Sequence, residues 1–515
     1  MNAIAQSAAL GLGAAVFLLL AYAIGGAIYN VYFHPLRKFP GPKLAAASKI
    51  PFCLNRCRGL QNKWAKEMHD KYGEVVRLAP DQVSFTSVEA WKDIYGHKVG
   101  GKGGMSKDLR FYGPDSAGFN GIIRANDEDH TRQRRLLAHA FSDKALREQE
   151  PMLNKYVSLL VEKLGDVARM PDGSVDMVRM LNYTTFDIMG DLAFGEPLGL
   201  LEQSDYTPWV ASVFGTIKTY VLLATIMNNF PLIGAAIRRW FIPQSLVEKK
   251  KRHAAYAEER VDTRLANKTT ERPDIWTFVL RHSGDKDNEG KGLALHEMQS
   301  IASTLMLAGT ETTATLLSGL TYHLCLNPAK MAALKAEIRG AFSDPSQMDM
   351  TNLSHLRYMH ACLEEGLRMY PPVPVGLPRV VPAGGRVVCG QAVPADTSVY
   401  LSHYAAYHSA RNFCDPDEFV PERWLTPDEN GVEDPRRDPK YKNDVLSVVE
   451  PFSYGPRNCI GKNLAFHEMR LILANVLWHY DIELCPESKD WVDQGVWIIW
   501  EKGPLMCKLK PAVRS

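Results

Sequence analysis

The sequence predicts a mainly α fold with a small β portion, set behind an N-terminal transmembrane helix. Three observations predict it. Residues 8–28 are almost wholly apolar, apolar spacings of three and four dominate beyond residue 60, and stretches with strand character are few and short. The 515 residues are 46% hydrophobic and 23% charged, an ordinary globular composition with ample material for a large core. No Pro-, Gly- or Ser-rich linker divides the middle of the chain. It therefore reads as an anchor (residues 1–33), a Pro-rich hinge and lead-in (34–58) and one large domain (59–515).

A helix that crosses a bilayer needs about 20 apolar residues at about 1.5 Å each, and residues 8–28 supply that length. A cleaved signal peptide fits less well, because no basic segment precedes the run and the run is long for such a peptide. Arg37, Lys38, Lys43 and Lys49 follow it, which predicts an outside N-terminus and a cytoplasmic body. Pro40-Gly41-Pro42 then breaks the helix. The nine cysteines, odd in number and scattered, form no disulfide framework and suit a reducing compartment. A net charge of +2 without a concentrated basic stripe argues against a nucleic-acid binder.

In the body, the strand-like pieces are residues 75–78, 83–86, 386–388 and 399–402. Residues 283–292 and 426–444 read as polar surface loops, the second long and expected to be mobile. A long apolar helical run covers residues 293–327 and ends before Pro328. Near the C-terminus, Ala465, Met469, Ile472, Val476 and Tyr480 share one helical face. Cys459 thus stands just before a helix N-terminus, where free N–H groups and the macrodipole favour an anion and lower a thiol from its usual pKa of about 8.5. Taken alone, Cys459-x-Gly461 reads as a buried structural cysteine.

Other segments carry chemistry-bearing groups. Ala308-Gly309-Thr310-Glu311-Thr312-Thr313 lies inside the long helical run, although a helical glycine costs about 1 kcal/mol. Read alone, such a Thr bonds back to its own helix and the Glu is solvated. Glu365 and Arg368 stand three apart on one helical face. Phe419-Val-Pro-Glu-Arg423-Trp supplies a further arginine, and His130-Thr-Arg132-Gln-Arg134-Arg135 opens another helix.

The ten-residue segment Phe452-Ser-Tyr-Gly455-Pro-Arg457-Asn-Cys459-Ile-Gly461 resembles the haem-binding loop of the cytochrome P450 family. The other motifs fall in that family's order over roughly residues 40–510. The resemblance implies the family's triangular-prism fold, with haem b held between two helices by the axial thiolate of Cys459. A thiolate pushes electron density onto iron and favours O–O cleavage. It implies that Phe452 screens that ligand and that Arg457, Arg134, His130 and Arg379 bond the propionates. The family often has Trp where His130 stands. Ala308 and Gly309 would leave room for a ligand over the iron, Thr312 would hydrogen-bond bound dioxygen, and Glu311 would relay protons. Glu365, Arg368 and Arg423 would form a structural network. The implied function is a membrane-bound monooxygenase of the endoplasmic reticulum, single-pass and facing the cytoplasm. Its electrons would come from NADPH through a separate cytochrome P450 reductase, or from cytochrome b5. Arg132, Arg135, Lys144, Arg147 and Lys462 are candidates for the docking face.

The substrate signal is thinner. Residues 206–243 are unusually apolar, and Val373, Val375, Leu377 and Val496 join Ala308 as candidate pocket residues, which predicts a lipophilic substrate arriving from the bilayer side. Core packing is the plainer account of the same residues. The style resembles filamentous-fungal members that tailor natural products. A haem-thiolate isomerase or dehydratase working without a reductase, and a non-catalytic haem carrier, are the competing readings. Intact Glu311 and Thr312 favour the monooxygenase.

Overall fold

The computed structural model of this protein describes residues 2–97, 104–113, 121–240, 244–267, 273–283, 292–427 and 431–513. Most of the expected loop at 283–292, and the end of the apolar stretch at 206–243, lie outside them.

The apolar N-terminal run forms helix α1 (Asn2–Tyr32). Its window Gly13–Tyr32 is long and apolar enough to span a membrane, and none of it is buried against the protein. Its C-terminal end is tied to the body by Arg77, itself 1% exposed, whose guanidinium donates to the Asn30 carbonyl (2.9 Å). The Arg77 N–H donates to the Pro40 carbonyl (2.7 Å). A side chain at Gly41 would meet the Arg77 carbonyl at 2.4 Å, so the chain must be glycine where it crosses this strand. The lead-in is not a bare hinge: helix α2 (Ile50–Cys57) folds within it.

The four expected strands form, with bounds shifted by at most a residue at either end, and further short strands join them. β1 (Val75–Ala79), β2 (Gln82–Phe85), β3 (Ser106–Lys107), β5 (Arg379–Val380) and β8 (Ser398–Leu401) form one sheet in the order β1-β2-β8-β5-β3. β4 (Ser174–Asp176), β9 (Tyr480–Leu484) and β12 (Met506–Pro511) form a second, in the order β4-β12-β9. β6 (Arg386–Val388) pairs with β7 (Gln391–Val393), and β10 (Val496–Trp497) with β11 (Ile499–Trp500). Tyr480 opens β9 and is not on the preceding helix, so the helical face read through it stops one position short.

The helices that position the site are α3 (Leu109–Tyr112), α4 (Asp127–Ala138), α5 (Asp143–Ala168), α6 (Met177–Phe194), α7 (Pro208–Asn229), α8 (Pro231–Trp240), α9 (Leu295–Leu326), α10 (Arg357–Met369) and α11 (Lys462–His479). α6 is buried nearly all round, as a central core helix must be, and packs along α9. Gly309 serves that packing: a side chain there would meet Met189 Sδ at 2.7 Å. The expectation that Gly309 makes room for a ligand is corrected accordingly.

The structure brings Glu365, Arg368 and Arg423 together, all at 0% exposure. Arg368 makes a forked pair with Glu365 (2.7 and 2.9 Å) and donates to the carbonyls of Tyr407, Pro416 and Glu418. Arg423 donates to Glu365 (3.2 Å) and pairs with Asp444. Trp424 Nε1 and the Val420 N–H also donate to Glu365. The Arg368 and Arg423 guanidinia hold the Glu365 carboxyl below its usual range against the cost of burial. The expected mobile loop at 426–444 is pinned where it closes this network, because Asp444 pairs with Arg423 and the buried Tyr441 ring lies under the Arg423 guanidinium. Residues 428–430 lie outside the description.

Two predictions follow from this packing. Arg423→Met leaves Glu365 short of a buried partner and Asp444 unpaired, and is expected to destabilise the fold by about 3–5 kcal/mol in denaturant titration. A loss under about 1 kcal/mol would mean the network is dispensable. Burial also holds His69, His323 and His403 near pKa 4 and His408 near 3. The unfolded chain takes up those protons first, below about pH 6.5. Stability therefore falls as pH drops from about 6.5 towards 4, by about 1.4 kcal/mol per pH unit for each histidine. Denaturation midpoints at pH 7.5, 6.5 and 5.5 check this, and a midpoint that stays level or rises on acidification contradicts it.

Candidate active site

Cys459 sits in the loop between the 3₁₀ turn Gly455–Arg457 and α11. The loop turns sharply because Gly455 takes φ +75°, and a side chain there would strike the Tyr95 carbonyl at 2.1 Å. No other residue type fits that position. Gly461 is different: its φ is −88°, and a Cβ there would make only ordinary contacts, with the Phe141 ring at 3.7 Å and Cys459 Sγ at 3.9 Å. The Cys459 N–H donates to the Phe452 carbonyl (2.8 Å), and Arg134 of α4 donates to the Asn458 carbonyl (2.6 Å) and side chain (2.5 Å). Arg134 therefore grips the residue next to the sulfur.

Cys459 is exposed, yet burial is the main influence on its thiol. The two facts agree if the sulfur lies deep in the fold and faces an internal slot. Burial pushes the thiol up, and the Gly461 N–H, Arg134 and Lys462 pull it down without winning. This corrects the expectation that the helix terminus alone would lower it. The donor set suits a metal: a thiol held protonated by burial gives up its proton when a cation replaces it. The Phe452 ring lies beside the loop, 5.3 Å from the Phe466 ring, with Lys462 over its face.

The second set of candidate residues lies on α9. Leu307 (40%) and Ala308 are exposed in mid-helix, although Leu305, Met306, Thr310 and Glu311 around them are buried. The Thr312 hydroxyl donates to the Ala308 carbonyl (2.6 Å), back to its own helix. Glu311 is not solvated: it is 3% exposed and ion-paired with Lys502, which also reaches Thr315. One Glu311 oxygen, Oε2, is buried without a partner. Glu311 and Lys502 line a cavity of about 400 Å³ walled by Tyr206, Ile217, Trp497 and Trp500. Below the helix, the Glu468 carboxyl, pushed up to about 8 by burial, bonds Thr313.

A cluster of basic groups lies at the rim. Arg457 pairs with Asp127 (2.8 Å) and donates to the Ala125 carbonyl, while its Nη1 is buried without a partner. Arg379, 5% exposed, lies against the Tyr95 ring, and its Nε is likewise unpartnered. Lys107 is held down to about 7 by burial and by Arg379 and Arg457. Burial with Arg457, Arg134 and Lys107 holds His130 down to about 3, so its ring is neutral. Positive groups that raise one another's cost, with unpartnered buried donors among them, fit the acidic edge of a porphyrin. The residues present thus fit haem at both its iron and its propionates.

Sequence reasoning missed Lys107 and Lys502. Lys107 stands alone in a short strand, and Lys502 is 191 positions from its partner, so neither carries a local signal. Of the remaining candidates, Val375 (3%) and Val496 (2%) belong to the packed core, while Val373 and Leu377 are half-buried against it. Arg132 is committed to Glu297 (2.5 Å) and Asp129, joining α4 to α9, and leaves the candidate docking set. Arg135, Lys144, Arg147 and Lys462 stay exposed.

Comparison with known proteins bears on the whole chain. A family model described as Cytochrome P450 matches residues 50–508. The chain is 47% identical over 496 residues to cytochrome P450 monooxygenase efuB of Hormonema carpetanum, covering 96% of this chain and 95% of that one. It is 43% identical over 492 residues to cytochrome P450 monooxygenase astJ of Aspergillus oryzae, with 96% and 95% covered. It is 42% identical over 513 residues to averantin hydroxylase of Dothistroma septosporum, with 97% and 91% covered.

Proposed function

This chain belongs to the cytochrome P450 family, and on that premise we propose a haem monooxygenase that oxidises a lipophilic small molecule of secondary metabolism. Its electrons come from NADPH through a separate reductase or cytochrome b5, and α1 anchors it in the endoplasmic reticulum with the catalytic domain in the cytoplasm. The observation that carries the reading is the accessible sulfur of Cys459, deep in the fold on a loop that Arg134 grips. Full-length relatives named monooxygenases and a hydroxylase support the reaction class.

In this reading Cys459 Sγ ligates the iron, and Phe452 packs beside the loop to screen it. Arg134 fixes the sulfur's position through Asn458. Arg457, Arg379, Lys107 and neutral His130 receive the propionates, which supply the anions their buried donors lack. When bound, haem supplies reductive activation of dioxygen and transfer of one oxygen atom to the substrate. Thr312 offers a hydroxyl to the slot by rotating away from the Ala308 carbonyl. Glu311 supplies the carboxyl that would relay protons towards that hydroxyl, and its ion pair with Lys502 fixes where that carboxyl sits. The 400 Å³ cavity brings Glu311 within reach of water from outside. Ala308 leaves room in the slot, and Val373 and Leu377 border it, while Val375 and Val496 support that wall from within the core.

Two measurements test the assignment. Cys459→Ala is expected to abolish the red-shifted Soret band of the ferrous carbon monoxide complex, and retention of that band overturns the ligand. Thr312→Ala is expected to keep consuming NADPH while peroxide replaces product in the reconstituted system. Coupling equal to that of the parent removes the hydroxyl from the mechanism.

A further inference from the structure

A second polar site lies away from the haem slot, where α2, α3 and the C-terminal end of α7 meet the first sheet. A cavity of about 30 Å³ there is lined by Lys49, Arg56 and Arg110 on the positive side and by Asp81 and Asp108 on the negative. The pairing is uneven. Lys49 pairs with Asp81 (3.0 Å), and Arg110 pairs with both Asp81 and Asp108. Both carboxylates are thereby used. Arg56 has none: among the described residues its guanidinium enters no ion pair, and its Nε is buried without a partner. The residue is 5% exposed, and its charged group lies over the Phe111 ring at 4.7 Å. The Gln82 Oε1 at the same cavity is also unpartnered.

A guanidinium taken out of water without an anion is a strongly unfavourable arrangement that a cation–π contact offsets only in part. It is the arrangement of a site whose anion comes from outside. The volume limits that anion. A water needs about 10–15 Å³ by this measure, so the cavity takes a group the size of a carboxylate or phosphate oxygen cluster and no larger body. What surrounds it is apolar. Phe52, Ala79 and Phe111 form the walls, and Phe230 packs against the first two. Beyond them Ile50 (59%), Leu54 (45%) and Leu232 (81%) present apolar side chains to the outside. We infer that Arg56 is the anchor of an oxyanion-binding site for an amphiphile, whose charged head enters this cavity while its apolar body lies along the neighbouring surface of α2 and α8. The inference goes beyond the proposed activity, since binding here requires neither turnover nor any residue of the haem slot.

The test is calorimetric titration of the full-length holoprotein in nanodiscs of neutral phosphatidylcholine, with octanoate and octan-1-ol as the pair of probes. Octanoate is expected to bind at least about tenfold more tightly than the alcohol. Arg56→Gln abolishes that preference, Arg56→Lys keeps part of it, and Asn229→Asp, which places a carboxylate in the cavity lining, abolishes it with Arg56 intact. Discs containing phosphatidylglycerol separate the sources: suppressed octanoate binding assigns the site to a lipid headgroup, and unchanged binding assigns it to a free carboxylate, each with an oxyanion at Arg56. Equal binding of the two probes overturns the site. So does an Arg56→Gln protein that melts lower than the parent while keeping the preference, which would make Arg56 a structural residue.

Discussion

The rest of the structure hangs on a carboxylate that meets two guanidinia with no water between them. Glu365 is wholly buried and accepts from Arg368, Arg423, Trp424 and the Val420 N–H. Such a group is stable only when every lone pair is met, and the ensemble then has essentially one geometry. From there the order passes outward. Arg368 donates to the Tyr407 carbonyl, the Tyr407 hydroxyl accepts from the Glu450 N–H, and the Glu450 carbonyl accepts from Ser453 at the start of the thiolate loop. The network touches no reacting atom, yet it leads by three hydrogen bonds to the loop that presents Cys459.

The slot itself is built from opposed demands. Burial keeps the Cys459 thiol protonated, keeps His130 neutral and weakens the charge of Lys107. Each of these groups is out of balance within the chain, and in the proposed reading an iron porphyrin would balance them, with its metal at the sulfur and its carboxylates at the basic rim. The protein's own stability would then be linked to haem occupancy. The same logic separates Glu311 from Glu365. Both are buried, but Glu365 has every oxygen engaged, whereas Glu311 has one oxygen on Lys502 and one unpartnered, beside a large cavity. The first is closed to any further partner, and the second keeps one oxygen open to one.

Arg56 extends that reasoning to the face formed by α2 and α8. Lys49 and Arg110 consume the local carboxylates and leave one guanidinium over. Its position beside exposed apolar residues of α2 and α8 sets a charged point at the edge of an apolar surface. An amphiphile is the class of molecule that satisfies both at once.

The mainly α class, the apolar N-terminal helix and the cysteine loop before a helix were legible from the residues alone, because each is carried by periodicity or by one short motif, whereas the trio Glu365, Arg368 and Arg423 came from the family resemblance, since Arg423 stands 58 positions from Glu365. Sequence pattern placed β1, β2, β6 and β8 within a residue and missed the other strands described, and it ran the last helix one position long at Tyr480, since hydrophobic period does not mark where a helix gives way to a strand. That Gly309 makes way for Met189, that Arg132 is spent on Glu297, that the loop before Asp444 is pinned, and that Lys502 meets Glu311 became visible once the chain was folded. These are contacts between residues far apart in the chain. Local propensity is blind to them, because burial and charge pairing are properties of the assembled interior and not of any segment within it.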